Sequence, residues 1–222
     1  MLEQHDANLE TRFHFITNAT LLTDRIYDTI ERLPISSIGA SLDAATEESF
    51  MRLRVRGRNA NWETVLANLK RLQGLKHRKH FNFTLSMTLN TINSSEIGSF
   101  VDLALSFDAE PLIMLVANPY NTTEFQKSYL NFTDAQFEKM DTEIGNSIAK
   151  VKAHNFEDAE IFLNQLRDVL IQHRKTDNKA SHFQAKKIAR KAFQVLPEQL
   201  QMPIRRVVQK ARTSRFEKQK TI

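Results

Sequence analysis

The hydrophobic period along this chain switches repeatedly between two and about 3.6, the signature of strands alternating with amphipathic helices. Residues 13–17 (FHFIT) predict a short strand. Thr23 follows as a helix N-cap, with Ile26, Ile30 and Leu33 on one helical face and Pro34 as the stop. Residues 36–43 (SSIGASLD) predict a second strand. Asn61 can cap a helix in which Trp62, Val65, Leu66, Leu69 and Leu72 fall at the spacing of a buried stripe, with Gly74 near its end. Residues 80–89 (HFNFTLSMTL) alternate most clearly: Phe81, Phe83, Leu85, Met87 and Leu89 on one face, Asn82, Thr84, Ser86 and Thr88 on the other. A helix capped by Ser94 or Ser95 comes next, with Ile97, Phe100, Val101, Ala104 and Leu105 as its stripe. Residues 111–118 (PLIMLVAN) are a nearly continuous apolar run, the pattern of a strand covered on both faces.

Strands joined by helices in this order imply right-handed crossovers and a parallel sheet. The predicted fold is α/β, a partial (half) TIM-type barrel of about four parallel strands followed by an α-helical C-terminal extension. Past Asn118 a loop with Pro119 and Asn121 leads to Thr133 and Gln136, which form a capping box for a helix carrying Phe137, Met140, Ile144, Ile148 and Val151. Residues 156–172 predict a second long helix, with Ala159, Phe162, Leu163, Leu166, Val169 and Leu170 inward. A basic amphipathic stretch (Phe183, Ile188, Phe193), Pro197, Pro203 and a last basic helix around Val207 complete the chain. The expected divisions are a barrel-like body at 12–120, a helical extension at 121–175 and a basic tail at 176–222. With 222 residues and 41% hydrophobic content, one domain with appendages is expected.

Charge sharpens that division. The net charge of +5 separates into 14 Lys/Arg against 3 Asp/Glu in residues 173–222, and 17 against 23 in residues 1–172. The body is acidic and the tail basic, which most often marks a solvated helical end. The tail's Phe183, Phe193 and Phe216 sit in no RNA-binding module, so nucleic acid is not the expected partner. No window approaches 18 apolar residues, and MLEQHDANLETR lacks the basic and apolar regions of a signal peptide, so a soluble cytoplasmic protein is expected.

In parallel α/β sheets, ligands bind at the carboxyl ends of the strands. Those ends offer Thr17 and Asn18, Ser41 and Asp43, Ser86, Thr88 and Asn90, and Asn118. Any one of them is satisfied by a turn or a helix cap, but the coincidence over four strands favours a polar ligand. The face lined by Asn82, Thr84, Ser86 and Thr88 suits a ligand-filled lumen better than a packed aliphatic one. His14 and His80 fall at strand beginnings, on the stability end of a barrel. The seven histidines include no H-x3-H pair with an accompanying carboxylate, and no G-x-S-x-G, P-loop or G-x-G-x-x-G occurs.

At these same residues the chain resembles a known family. The segment FITNATLLTDRIYDTIERLPISSIGASLDAATEESFMRLRVRGRNANWETVLANLKRL is similar to the middle of radical S-adenosylmethionine (radical SAM) enzymes, in the SPASM-like branch whose strands read "TNGTLL" and "SLDAAT". The pattern N-x-x-E continues it at Asn93 and Glu96, followed by Phe100, Val101, Leu103 and Ala104. The resemblance covers roughly residues 12–118 and implies strands three to six of a (β/α)6 partial barrel, with SAM across the carboxyl ends of the strands. It implies reductive cleavage of SAM to a 5′-deoxyadenosyl radical as the family activity. It assigns Ser41 and Arg54 to the ribose, amino or carboxylate groups of SAM. Asn18, Asp43 and Thr88 complete the polar floor, and Ala117 or Asn118 lie near the adenine. An arginine suits a carboxylate, which it grips bidentately, although Arg52, Arg56 and Arg58 are neighbours of Arg54.

The chain also departs from that family. The C-x3-C-x2-C motif that holds the [4Fe–4S] cluster is absent, since there is no cysteine at all, and Ala19 stands where the family usually has glycine. SAM is therefore the expected cofactor, and a [4Fe–4S] cluster only where a missing N-terminal segment or a partner chain supplies its ligands. No catalytic or metal-ligating residue is expected in this chain, which is inactive alone on this reading. The expected partner is a separate cluster-bearing chain, or a second copy through the open strand edge at 13–17; no membrane is expected. The alternative is a non-catalytic relic or partner-binding module, with a basic tail that binds an acidic partner or nucleic acid.

Overall fold

A computed structural model describes residues 12–54, 61–117 and 123–177. The elements follow the order β1 (Phe13–Thr17), α1 (Asp24–Arg32), β2 (Ile35–Ser41), α2 (Glu47–Arg54), α3 (Trp62–Lys79), β3 (Asn82–Leu89), α4 (Ile97–Ser106), β4 (Glu110–Leu115), α5 (Thr123–Tyr129), α6 (Asp134–Ala153) and α7 (Glu157–Asp177). The four strands form one open sheet in the order β1-β2-β3-β4, and all three pairings are parallel. The α/β architecture and the helical C-terminal part agree with the sequence, and the open sheet is consistent with a partial barrel.

Local chemistry explains most of the boundaries. Thr23, Asn61 and Thr133 each accept a hydrogen bond from a first-turn backbone N–H of α1, α3 and α6, and Gln136 closes the capping box at Thr133. β3 presents Phe83, Leu85, Met87 and Leu89 to the core, while Thr84, Ser86 and Thr88 are half-buried on the opposite face. β2 repeats this with Ile38 and Ala40 inward and Ser37, Gly39 and Ser41 outward. Val65, Leu69, Leu72 and Leu75 of α3 and Ile97, Phe100, Val101 and Ala104 of α4 bury the apolar side. α6 lies along α4 through Phe137, Met140, Ile144 and Val151.

Several boundaries differ from the sequence expectation. α3 does not end near Gly74 but runs to Lys79, where His80 adopts a left-handed conformation at φ 55° and closes the helix on Lys76. The N-cap of α4 is Glu96, not Ser94 or Ser95, and it makes no side-chain cap. Leu42 and Asp43 lie beyond β2, and β4 stops at Leu115, so both strands are shorter than their apolar patterns. α2 and α5 occupy stretches with no predicted element. Ile26, Ile30 and Leu33 do share one face of α1, but no residue of that helix is buried.

The chain divides into two compact units, Met1–Leu170 and Ile171–Ile222, with the boundary inside α7. Of the second unit only the final turns of α7 are described. The predicted basic tail from 178 onward lies outside the described residues, as does Asn118. Among the described residues no helix is long and apolar enough to cross a membrane.

Candidate functional site

The carboxyl ends of β2 and β3 are locked into one surface. Parallel pairing sets Ser41 beside Ser86, and their hydroxyl oxygens are 3.1 Å apart. The chain then leaves β2 through Leu42 and Asp43, whose N–H groups both donate to the Ser86 carbonyl, at 3.0 and 3.3 Å. Asp43 takes a left-handed conformation at φ 59°, which a short polar side chain tolerates better than most. Its Oδ1 accepts from the Thr88 backbone N–H at 2.8 Å.

Two side chains from the loop after β3 hold the loop after β2. The buried Asn93 donates through Nδ2 to the Asp43 and Thr88 carbonyls, at 2.9 and 3.0 Å, and accepts from the Asn90 N–H at 2.8 Å. Glu96 accepts from the Ala45 N–H at 2.9 Å and the Thr46 hydroxyl at 2.5 Å, and the Ser49 hydroxyl lies 2.6 Å from both carboxylate oxygens. A carboxylate at the start of α2 also meets the positive end of the helix dipole. The same loop is fixed from behind, where Thr91 bonds the Tyr129 and Ser128 carbonyls of α5 through its N–H and hydroxyl. Gln136 of α6 donates to the Ser94 hydroxyl at 2.9 Å.

The predicted site residues are thus partly brought together. Ser41, Asp43 and Thr88 share this surface. Asn18 follows Thr17, which pairs with Ala40 of β2; it is exposed at the end of β1, and its Oδ1 accepts from the Thr20 N–H and hydroxyl, at 3.1 and 2.7 Å, closing its own turn. Ala19 beside it has φ 57°, and its carbonyl accepts from the buried Asn68 at 2.7 Å. A left-handed turn costs a non-glycine residue roughly 1–2 kcal/mol, so the glycine expected here by resemblance has a conformational reason. Arg54 is the last residue of α2, a helix whose start is anchored on Glu96. Asn118 lies outside the described residues. Ser86 and Asn90 are among the polar strand ends that the sequence offers, and Asn93 and Glu96 form its N-x-x-E pattern, but nothing local in the sequence marks Asn93 and Glu96 as clamps on the loop after β2.

Residues 1–104 match the sequence model of the radical SAM superfamily. The radical SAM match spans β1 through most of α4, and so contains Asn18, Ser41, Asp43, Arg54, Thr88, Asn93 and Glu96. No curated protein matches the chain. Radical SAM proteins in general use SAM together with a [4Fe–4S] cluster, whose irons are held by cysteine thiolates. The residues present do not fit that cluster: the chain contains no cysteine, and among the described residues no group of three or more His, Asp or Glu is placed to hold a metal ion. They fit SAM better, since a surface of Ser and Thr hydroxyls beside a carboxylate offers both donors and acceptors to a ribose diol and a zwitterion.

Proposed function

We propose that this chain is the C-terminal part of a radical SAM core of the SPASM-like branch, acting in the cytoplasm, and that it binds SAM without cleaving it alone. The observation that carries this reading is the shared surface of Ser41, Ser86 and Thr88, with the Asp43 carboxylate tied to it, at the carboxyl ends of two adjacent parallel strands. Hydroxyls there serve the ribose or the amino-acid tail of SAM. Arg54 supplies the cation for the carboxylate of that tail and Asp43 the anion for its ammonium. Asn118, three residues after β4 in the sequence, serves the adenine. The thiolates for a cluster come from residues outside these 222, in a partner chain or another segment, so no reductive step belongs to the side chains described here.

Calorimetric titration of the full chain with SAM tests the reading. Binding is expected, weakened about tenfold or more by Arg54→Ala, since a lost hydrogen bond to a charged group is worth about 1.5–3 kcal/mol. Under reducing anaerobic conditions the chain alone is expected to release no 5′-deoxyadenosine. Absence of any SAM binding would leave the scaffold as a relic or an interaction module.

A further inference from the structure

The loop after β3, residues 90–96, is held from two sides. Asn93 and Glu96 reach forward to the chain after β2, where they bond the Asp43 carbonyl, the Ala45 N–H and the Ser49 hydroxyl. Thr91 and Ser94 make their contacts behind. Thr91 donates its N–H to the Tyr129 carbonyl at 3.1 Å and its hydroxyl to the Ser128 carbonyl at 2.7 Å. Ser94, only 3% exposed, accepts from Gln136 Nε2 at 2.9 Å, and the same Nε2 lies 3.5 Å from the Thr91 carbonyl. Gln136 Oε1 meanwhile accepts from the Thr133 N–H at 2.9 Å, closing the capping box of α6. One half-buried amide therefore joins its own helix start through its oxygen and the loop through its nitrogen, and with both ends bonded its orientation is fixed.

A second contact from α6 accounts for the freedom of Glu96 to reach forward. Glu96 stands at the N-cap position of α4 yet makes no side-chain bond to that helix. The Gly98 N–H, in the first turn of α4, donates instead to Glu143 Oε2 of α6 at 3.1 Å. A carboxylate is favoured at a helix N-terminus. With Glu143 in that place, the Glu96 carboxylate is left for Ala45, Thr46 and Ser49. Both contacts come from a helix that lies beyond residues 1–104, the stretch matched by the radical SAM model.

We infer that Gln136 is a positioning residue for the carboxyl end of the sheet. By holding Ser94 and Thr91 it fixes the loop 90–96, so that Asn93 sets the Asp43 turn and Glu96 sets the start of α2, the helix that ends in Arg54. Gln136 itself touches no ligand and acts through Ser94. SAM as the ligand is taken from the reading above; the bracing itself needs no ligand.

Amide hydrogen exchange of the full chain without SAM, read by NMR at Ala45, tests it together with calorimetric titration of SAM. The amide of Leu85, in the core of β3, serves as the reference for global opening, which moves both amides together. Gln136→Ala and Ser94→Ala are each expected to speed exchange at Ala45 relative to Leu85 about fivefold, the worth of one ordinary hydrogen bond, and to weaken SAM binding by a similar factor. The double variant is expected to do no more than either single one, because both remove the same contact. Thr133→Ala is the structural control: it removes the hydroxyl that accepts from the Gln136 N–H and lowers the melting temperature, but leaves the amide on Ser94, so relative exchange at Ala45 is expected to stay as in the parent. Unchanged exchange in Gln136→Ala, additive effects in the double variant, or equal acceleration in Thr133→Ala would overturn the inference. A parent that binds no SAM while exchange responds as expected would overturn the SAM reading and uphold Gln136 as the brace of the loops.

Discussion

At the scale of single residues, the site depends on side chains that do not point at a ligand. Glu96 receives an N–H and a hydroxyl from the loop after β2 and the Ser49 hydroxyl from α2, so Glu96→Ala removes one acceptor shared by three donors. A loss of about 3 kcal/mol is expected in chemical denaturation, together with weaker SAM binding, while Glu96→Gln is expected to lose less because it keeps an acceptor. Glu110 gives the opposite case. Burial pushes its carboxyl pKa up, helped by Asp158, against the Ala159 N–H at 2.8 Å and the charge of Lys76. A carboxyl raised in the folded state favours folding fully below its unfolded pKa, and that contribution fades as pH rises through the raised folded value. Glu110→Gln, which preserves an acceptor for Ala159, is therefore expected to melt higher than the parent at neutral pH. The advantage should vanish below the ordinary glutamate range in a series of thermal melts. The hydroxyls of Ser41 and Thr88 were legible in the sequence because strand alternation fixes their face. The clamping roles of Asn93 and Glu96 were not, because their partners are 50 and up to 51 residues away.

At the scale of elements, sequence patterns succeeded where a stripe and a cap coincide. β3, α6 and α7 carry long apolar periods, and Thr23, Asn61 and Thr133 start their helices as composition predicts. The failures share one physical cause, which is that local signals were outvoted by tertiary contacts. Gly74 sits inside α3 because Leu75 beyond it is wholly buried. α2 has no strong stripe of its own, yet Phe50 is buried against Trp62 with ring centroids 5.3 Å apart and Ser49 is bonded to Glu96. One buried residue of α6 offers a test. Ser147 is wholly buried in α6, and its hydroxyl finds no partner among the described residues. Ser147→Ala is expected to stabilise the fold by about 1 kcal/mol, since the desolvation cost of the hydroxyl disappears. Ile144→Ala, one turn earlier on the same packed stripe, is expected to cost about 2–5 kcal/mol, and urea denaturation of the two variants measures both signs.

At the scale of the whole molecule, the radical SAM match covers residues 1–104, and the chain contains no cysteine. The ends of β2 and β3 carry Ser41, Ser86 and Thr88 braced by Asn93 and Glu96, and the chain contains no cysteine thiolate. The open sheet explains the half-barrel periodicity of the sequence. The central claim is that the hydroxyl surface at the ends of β2 and β3 receives SAM. Isothermal titration of the parent chain, Ser41→Ala and Thr88→Val with SAM tests it most directly. Saturable binding by the parent and weaker binding by both variants at unchanged melting temperature are expected; no heat with the parent, or equal affinity in all three, would contradict SAM binding at this surface.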